Sequence, residues 1–126
     1  QKSPPKWIPL NTALMTALSA KSKKEMISDK KFYGRLVEVA VGAYLYNQAL
    51  VNRYEIYYWR EDHDEIDFVV KHGEKLLAIE VKTGFEYGGK AFDVFKKKYP
   101  KAQALLVGEY GVSVEKFLST PINDFI

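Results

Sequence analysis

The chain has no cysteine among its 126 residues. That removes disulfides, thiolate metal sites and cysteine nucleophiles together, and it fits a reducing, cytoplasmic setting. Histidine is nearly as scarce. His63 and His72 are the only two, both beside expected turns, which argues against an imidazole-based metal centre. Any metal would then be held by oxygens, which means magnesium, manganese or calcium. No apolar run approaches the length of a membrane span, and the first residues lack the shape of a signal peptide, so no membrane partner is expected. No Gly-x-x-x-x-Gly-Lys-Ser/Thr string occurs, so this sequence cannot hydrolyse ATP through a phosphate-binding loop of that kind.

A strong excess of one charge is missing too: 19 basic residues face 16 acidic ones, a net +3. That is too mild to diagnose nucleic-acid binding. The distribution says more. Lys21, Lys23, Lys24, Lys30, Lys31 and Arg35 gather before the first long helix, and Lys96, Lys97, Lys98 and Lys101 near the second. Such groups either neutralise phosphates or form solvated faces.

What is present is the composition of one globular domain with a core of its own. Residues 1–29 read as an arm with a short helix: Ser3-Pro4-Pro5 and Ile8-Pro9 favour extended backbone, and Asn11 or Thr12 can cap a helix to about Ala20. Residues 30–126 form the domain proper. Lys21 to Lys31 reads as a charged connector. The spacing of Tyr33, Leu36, Val37, Ala40, Val41, Tyr44 and Leu45 then predicts a helix over Phe32 to Leu50, with Glu38 its one carboxylate between Leu36 and Tyr46. A carboxylate on so apolar a helix needs a cation, a metal or strong donors, unless it sits at the helix edge beside Arg35.

Tyr54 to Trp59 is dense in aromatic and β-branched residues and predicts a strand. Two more follow, Glu65 to Val70 and Leu76 to Thr83, joined by the turn His72-Gly73-Glu74-Lys75. Lys90 to Tyr99 reads as a helix with Ala91, Phe92 and Phe95 inward, stopped by Pro100. Ala104 to Val107 reads as a strand covered on both faces. A short helix capped by Ser113 and a tail close the chain. Three strands in sequence make an antiparallel meander, and the last, arriving through a helix, pairs in parallel. The fold class is α/β, a mixed central sheet flanked by helices.

Side chains alternate across a strand. Ile66, Phe68 and Val70 are therefore expected on one face, with Asp67 and Val69 on the other. Glu80 and Lys82, roughly 6.5 Å apart along their strand, point the same way. If the apolar faces of the two strands coincide, Asp67 joins them. Two carboxylates and an amine in one place suit a divalent-metal hydrolase, and they equally suit a solvated face of ion pairs.

A helix with a lone glutamate, Asp67 on the second strand, Glu80-x-Lys82 on the third, then a helix and strand, resembles the PD-(D/E)xK nuclease superfamily. Gly34-Arg35-Leu36-Val37-Glu38, Tyr57-Tyr58-Trp59-Arg60, Glu65-Ile66-Asp67-Phe68-Val69 and Ala78-Ile79-Glu80-Val81-Lys82 resemble, more narrowly, the domain of unknown function that follows the ATPase in a group of bacterial and archaeal AAA+ proteins. Pro9-Leu10-Asn11-Thr12-Ala13-Leu14 is similar to the segment entering it. The resemblance implies a restriction-endonuclease-like αβββαβ core, a preceding ATPase domain as partner in the same chain, and Mg2+ or Mn2+ as cofactor. It also implies Asp67, Glu80 and the Val81 backbone carbonyl as metal ligands, Glu38 as a supporting acid or further ligand, and Lys82 as the group that positions or activates water. Nucleic acid, DNA before RNA, is the implied substrate. The Gln-x-x-x-Tyr signature of many such nucleases departs here: Phe95 and Tyr99 are present and the glutamine is not. Three readings stay open at this point, a magnesium-dependent nuclease, a silent binding module regulating an ATPase, and a purely structural set of ion pairs.

Overall fold

The computed structural model describes residues 25, 28–84 and 89–126. The arm and short helix expected over residues 1–29 lie almost wholly outside them, as does most of the glycine-rich loop at 85–88. The long helix, α1, runs Lys30–Asn52. Its start lies inside the segment read as a connector: Asp29 has extended backbone and its side chain accepts from the Phe32 amide at 3.0 Å. Such a cap supplies about 1 kcal/mol by satisfying an otherwise orphaned amide. Arg53 ends α1 in the left-handed conformation (φ 59°).

The sheet follows as β1 (Glu55–Glu61), β2 (Asp64–His72), β3 (Lys75–Lys82) and β4 (Gln103–Gly108), in the order β1-β2-β3-β4. The first two junctions are antiparallel and the third is parallel. Helix α2 (Lys90–Lys98) makes the crossover between β3 and β4. Helix α3 (Val114–Leu118) carries the expected Ser113 cap, whose hydroxyl accepts from the Lys116 amide at 3.2 Å, and a 3-10 turn at Ile122–Asp124 follows. Among the described residues no helix is long and apolar enough to cross a membrane.

Each face of the sheet has its own core. On one, Val37, Val41 and Leu45 of α1 pack with Phe68, Val70, Leu77, Ile79, Val107, Phe117 and Ile122. On the other, Ala91 and Phe95 of α2 pack on Ile66, Val69 and Ala78, with Trp59 edge-on to Phe95 at 5.2 Å. Burying a side chain such as Phe68, Phe95 or Phe117 stabilises by about 1.5–3 kcal/mol, so these two layers fix the sheet between its helices.

Two expectations are corrected. Ile66 does not share a face with Phe68: it belongs to the α2 core, with Val69. The cause is a β-bulge. Tyr57 pairs with Val69 but Trp59 with Ile66, so Asp67 and Phe68 together stand opposite Tyr58. The extra residue reverses the alternation below Phe68. Strand β4, in turn, is not covered on both faces. It is the last strand of the sheet, and Gln103 and Ala104 are exposed while Val107 and Gly108 are buried.

Candidate functional site

The bulge builds the site. Strands β2 and β3 pair as far as Phe68 opposite Ile79, and the described ladder stops there. The next outward amide on β3, that of Val81, is taken instead by the Asp67 carboxylate, with Val81 N donating to Oδ2 at 2.8 Å. Asp67 thus reaches sideways into the opening between the strands, as a side-chain substitute for the missing ladder bond. In an extended strand the amide and carbonyl of one residue project to the same edge. The Val81 carbonyl therefore borders the same opening.

Glu80 and Lys82 follow the alternation set by Ala78, which faces α2. Glu80 is only 6% exposed, the one charged side chain among the buried residues described, and its Oε2 has no hydrogen-bond partner among the described residues. Burial pushes its carboxyl above the ordinary range. The nearby Lys82 ammonium opposes that shift, and Asp67, Glu65 and Asp64 add to it. Burying a carboxylate without a partner costs several kcal/mol, which is why such a group is rare unless a proton or cation meets it.

Asp67, Glu80 and Lys82 are accordingly brought to one corner. Glu38 comes from the other layer. Gly34 of α1 lies against Thr83, where an added Cβ would stand 3.1 Å from Oγ1, and Glu38 is one turn further along the same helix face. Among the described residues no three histidine, cysteine, aspartate or glutamate side chains converge as a ready metal cage. The donor set is leaner: two carboxylates and a carbonyl. Magnesium commonly binds through one or two carboxylates and keeps several waters, so the set fits that ion better than calcium, which takes six to eight oxygens.

Four contributors escaped the sequence reading. Asp64 and Glu65 sit in the run Asp64-Glu65-Ile66-Asp67 and act on Glu80 with Asp67. Lys90, at the start of α2, pairs with Asp64 at 3.6 Å. Tyr58, opposite the bulge, donates its hydroxyl to Glu65 Oε2 at 2.5 Å. The run of acids was the available signal. The Tyr58 contact had none, because it depends on the bulge.

Burial first, then the bond to Glu65, pushes the Tyr58 hydroxyl from 10.0 up to about 12. A folded pKa above the unfolded one favours the protonated, folded form. The stability it adds is fully present below pH 10 and is lost as pH rises through about 12. Tyr44, Tyr54 and Tyr57 are also pushed upward, so ultraviolet difference titration should show a late-ionising tyrosine signal that is smaller by one residue near pH 12 in Tyr58→Phe. The variant should also unfold with a shallower dependence on pH between those limits.

The profile of a family described as a domain of unknown function, DUF4143, matches residues 33–121, which spans all the site residues. No curated protein matches the chain.

Proposed function

The chain belongs to the DUF4143 family, defined without an activity, and from that premise we propose that it is a divalent-metal-dependent phosphodiester hydrolase acting on nucleic acid, DNA before RNA. The observation that carries the reading is the buried Glu80 carboxylate, without a hydrogen-bond partner at Oε2 among the described residues and grouped with Asp67 and Lys82 where β2 and β3 part. The element order helix, three-stranded meander, helix, strand suits the restriction-endonuclease-like core of the PD-(D/E)xK superfamily. In that reading a preceding ATPase domain of the same chain is the partner.

Asp67, Glu80 and the Val81 carbonyl would hold Mg2+ or Mn2+, with Glu38 in support. Bound there, the ion would supply Lewis-acid stabilisation for the charge that builds on phosphate oxygens. The residues themselves have distinct tasks. Glu80 offers a desolvated carboxylate whose charge Lys82 offsets only in part. Asp67, held by the Val81 amide, keeps the opening at fixed width. Lys82 projects its ammonium to the same side, where it orients an attacking water and offsets carboxylate repulsion.

The lean donor set favours a second reading, a silent nucleic-acid- or protein-binding domain that regulates an ATPase. Cleavage of labelled single- and double-stranded DNA and RNA separates the two. Cation-dependent cleavage by the wild type is expected, falling at least about a hundredfold in Asp67→Asn and Lys82→Ala, since each loses an interaction made to the reacting groups. Binding without cleavage on every substrate favours the second reading.

A further inference from the structure

On the same α2 side of the sheet lies a cleft of about 390 Å³, bordered towards the acidic corner by Tyr58, whose hydroxyl donates to Glu65. Tyr57, Trp59 and Tyr99 form its walls, and Leu76 and Phe95 contribute to its floor. Tyr57 of β1 is 48% exposed and Tyr99, at the end of α2, 38%. Tyr99 is held by Phe95 at 4.8 Å between ring centres, and Phe95 by Trp59 at 5.2 Å. The Trp59 and Tyr99 walls are therefore set by packing before any ligand arrives. Two polar groups, Lys71 and Glu74, also line the cleft. Just beyond it, at the end of α2 and in the turn that follows, Lys96, Lys97 and Lys101 are exposed, while Lys98 is engaged with Glu61 at 3.3 Å.

We propose that this cleft is a binding site for a base of single-stranded nucleic acid. The volume is that of a small-molecule site rather than a groove for a duplex. A flat heteroaromatic ring can stack on the exposed tyrosines that line the cleft, and its edge carries both donors and acceptors. Glu74 accepts from the donors, and Lys71 donates to the acceptors or to the adjoining phosphate. Lys96, Lys97 and Lys101 supply the positive surface that the neighbouring phosphates require. A base inside a duplex has both faces stacked and cannot enter. Strand β3 carries Leu76 in the cleft and Glu80 in the acidic corner, four residues or about 13 Å along the strand. One strand gripped in the cleft therefore passes close to the corner. This deepens the hydrolase reading by naming a single-stranded substrate, and it rests on that reading only for what happens after binding.

The test is fluorescence anisotropy in EDTA with the full 126-residue chain and three labelled ligands about a dozen nucleotides long: oligo-dT, a duplex, and an abasic strand. Oligo-dT is expected to bind at least about tenfold more tightly than the other two. Tyr57→Ala and Tyr99→Ala should each weaken it about tenfold, while Tyr57→Phe, which keeps the ring, stays near wild type. Equal binding of oligo-dT and abasic strand would overturn the proposal, because lysines alone would then explain it. So would folded alanine variants with unchanged affinity, or a cleft that ignores all three strands and takes a trimethyllysine peptide. Cleavage is assayed separately with a cation. Base-dependent binding without cleavage removes the hydrolase reading and leaves the cleft standing, and cleavage without base-dependent binding does the reverse.

Discussion

Glu80→Gln is expected to make the cation-free protein more stable while abolishing divalent-cation binding. The wild-type carboxylate is 6% exposed and lacks a hydrogen-bond partner at Oε2 among the described residues, so its charge opposes folding. The sign of the pH dependence follows from its raised pKa. The folded state holds the proton more tightly than the unfolded one, so the favourable contribution is complete below pH 4.5 and is lost as pH rises through the folded pKa. Above the folded pKa, where the buried carboxyl is ionised, the unmodified protein carries the cost of that charge. An uncharged isostere removes it, a gain of about 1–2 kcal/mol, or roughly 4–8 °C in Tm. Saturating Mg2+ or Mn2+ should raise Tm in the wild type by mass action and leave the variant unmoved. Scanning calorimetry in EDTA and in each cation reads both effects. A variant that melts lower in EDTA would mean that Glu80 supports the fold, as in the structural reading.

Gly108→Ala carries the second large effect. Gly108 pairs with Lys82 across the parallel junction, with φ 146°, and an added Cβ would lie 1.7 Å from the Lys82 carbonyl oxygen. The obstacle is backbone, which cannot swing aside as a side-chain tip can. The end of β3 must move, taking Lys82 with it. A loss of about 2–4 kcal/mol is expected, together with cleavage activity, measurable by urea unfolding beside the nuclease assay. Gly73→Ala is the comparison. Gly73 also has positive φ, 61°, but nothing lies within 4 Å of an added Cβ, so only the conformational penalty of about 1–2 kcal/mol applies. The corner should keep its activity in that variant.

Where local pattern governs, the sequence was a good guide. The helical spacing of α1, the turn at Gly73-Glu74, the stop before Pro100 and the Ser113 cap each rest on residues close together in the chain, and each is found. The antiparallel meander and the parallel β4 follow from connection length. The strand pattern of β2 was misleading for a physical reason. Ile66, Asp67 and Phe68 alternate cleanly in sequence, yet the bulge opposite Tyr58 moves Ile66 to the other core and turns Asp67 into the gap beside Val81. Nothing in the string Glu65-Ile66-Asp67-Phe68 marks that extra residue. Ala104 to Val107 misled differently, since an apolar run does not reveal whether its strand is central or last. Asp67, Glu80 and Lys82 were legible as a group because two of them share a strand. Asp64 was visible as one more acid in a run, and its partner Lys90 required the crossover helix to be in place.

The corner formed by Asp67, Glu80 and the Val81 carbonyl is proposed to take a divalent cation. Titration calorimetry of Mg2+ and Mn2+ into the wild type and Asp67→Asn tests it most directly. One site per chain with micromolar-to-millimolar affinity is expected in the wild type and none in the variant. No heat in either protein, at any concentration short of precipitation, would contradict it and leave the buried Glu80 without the cation this account assigns to it.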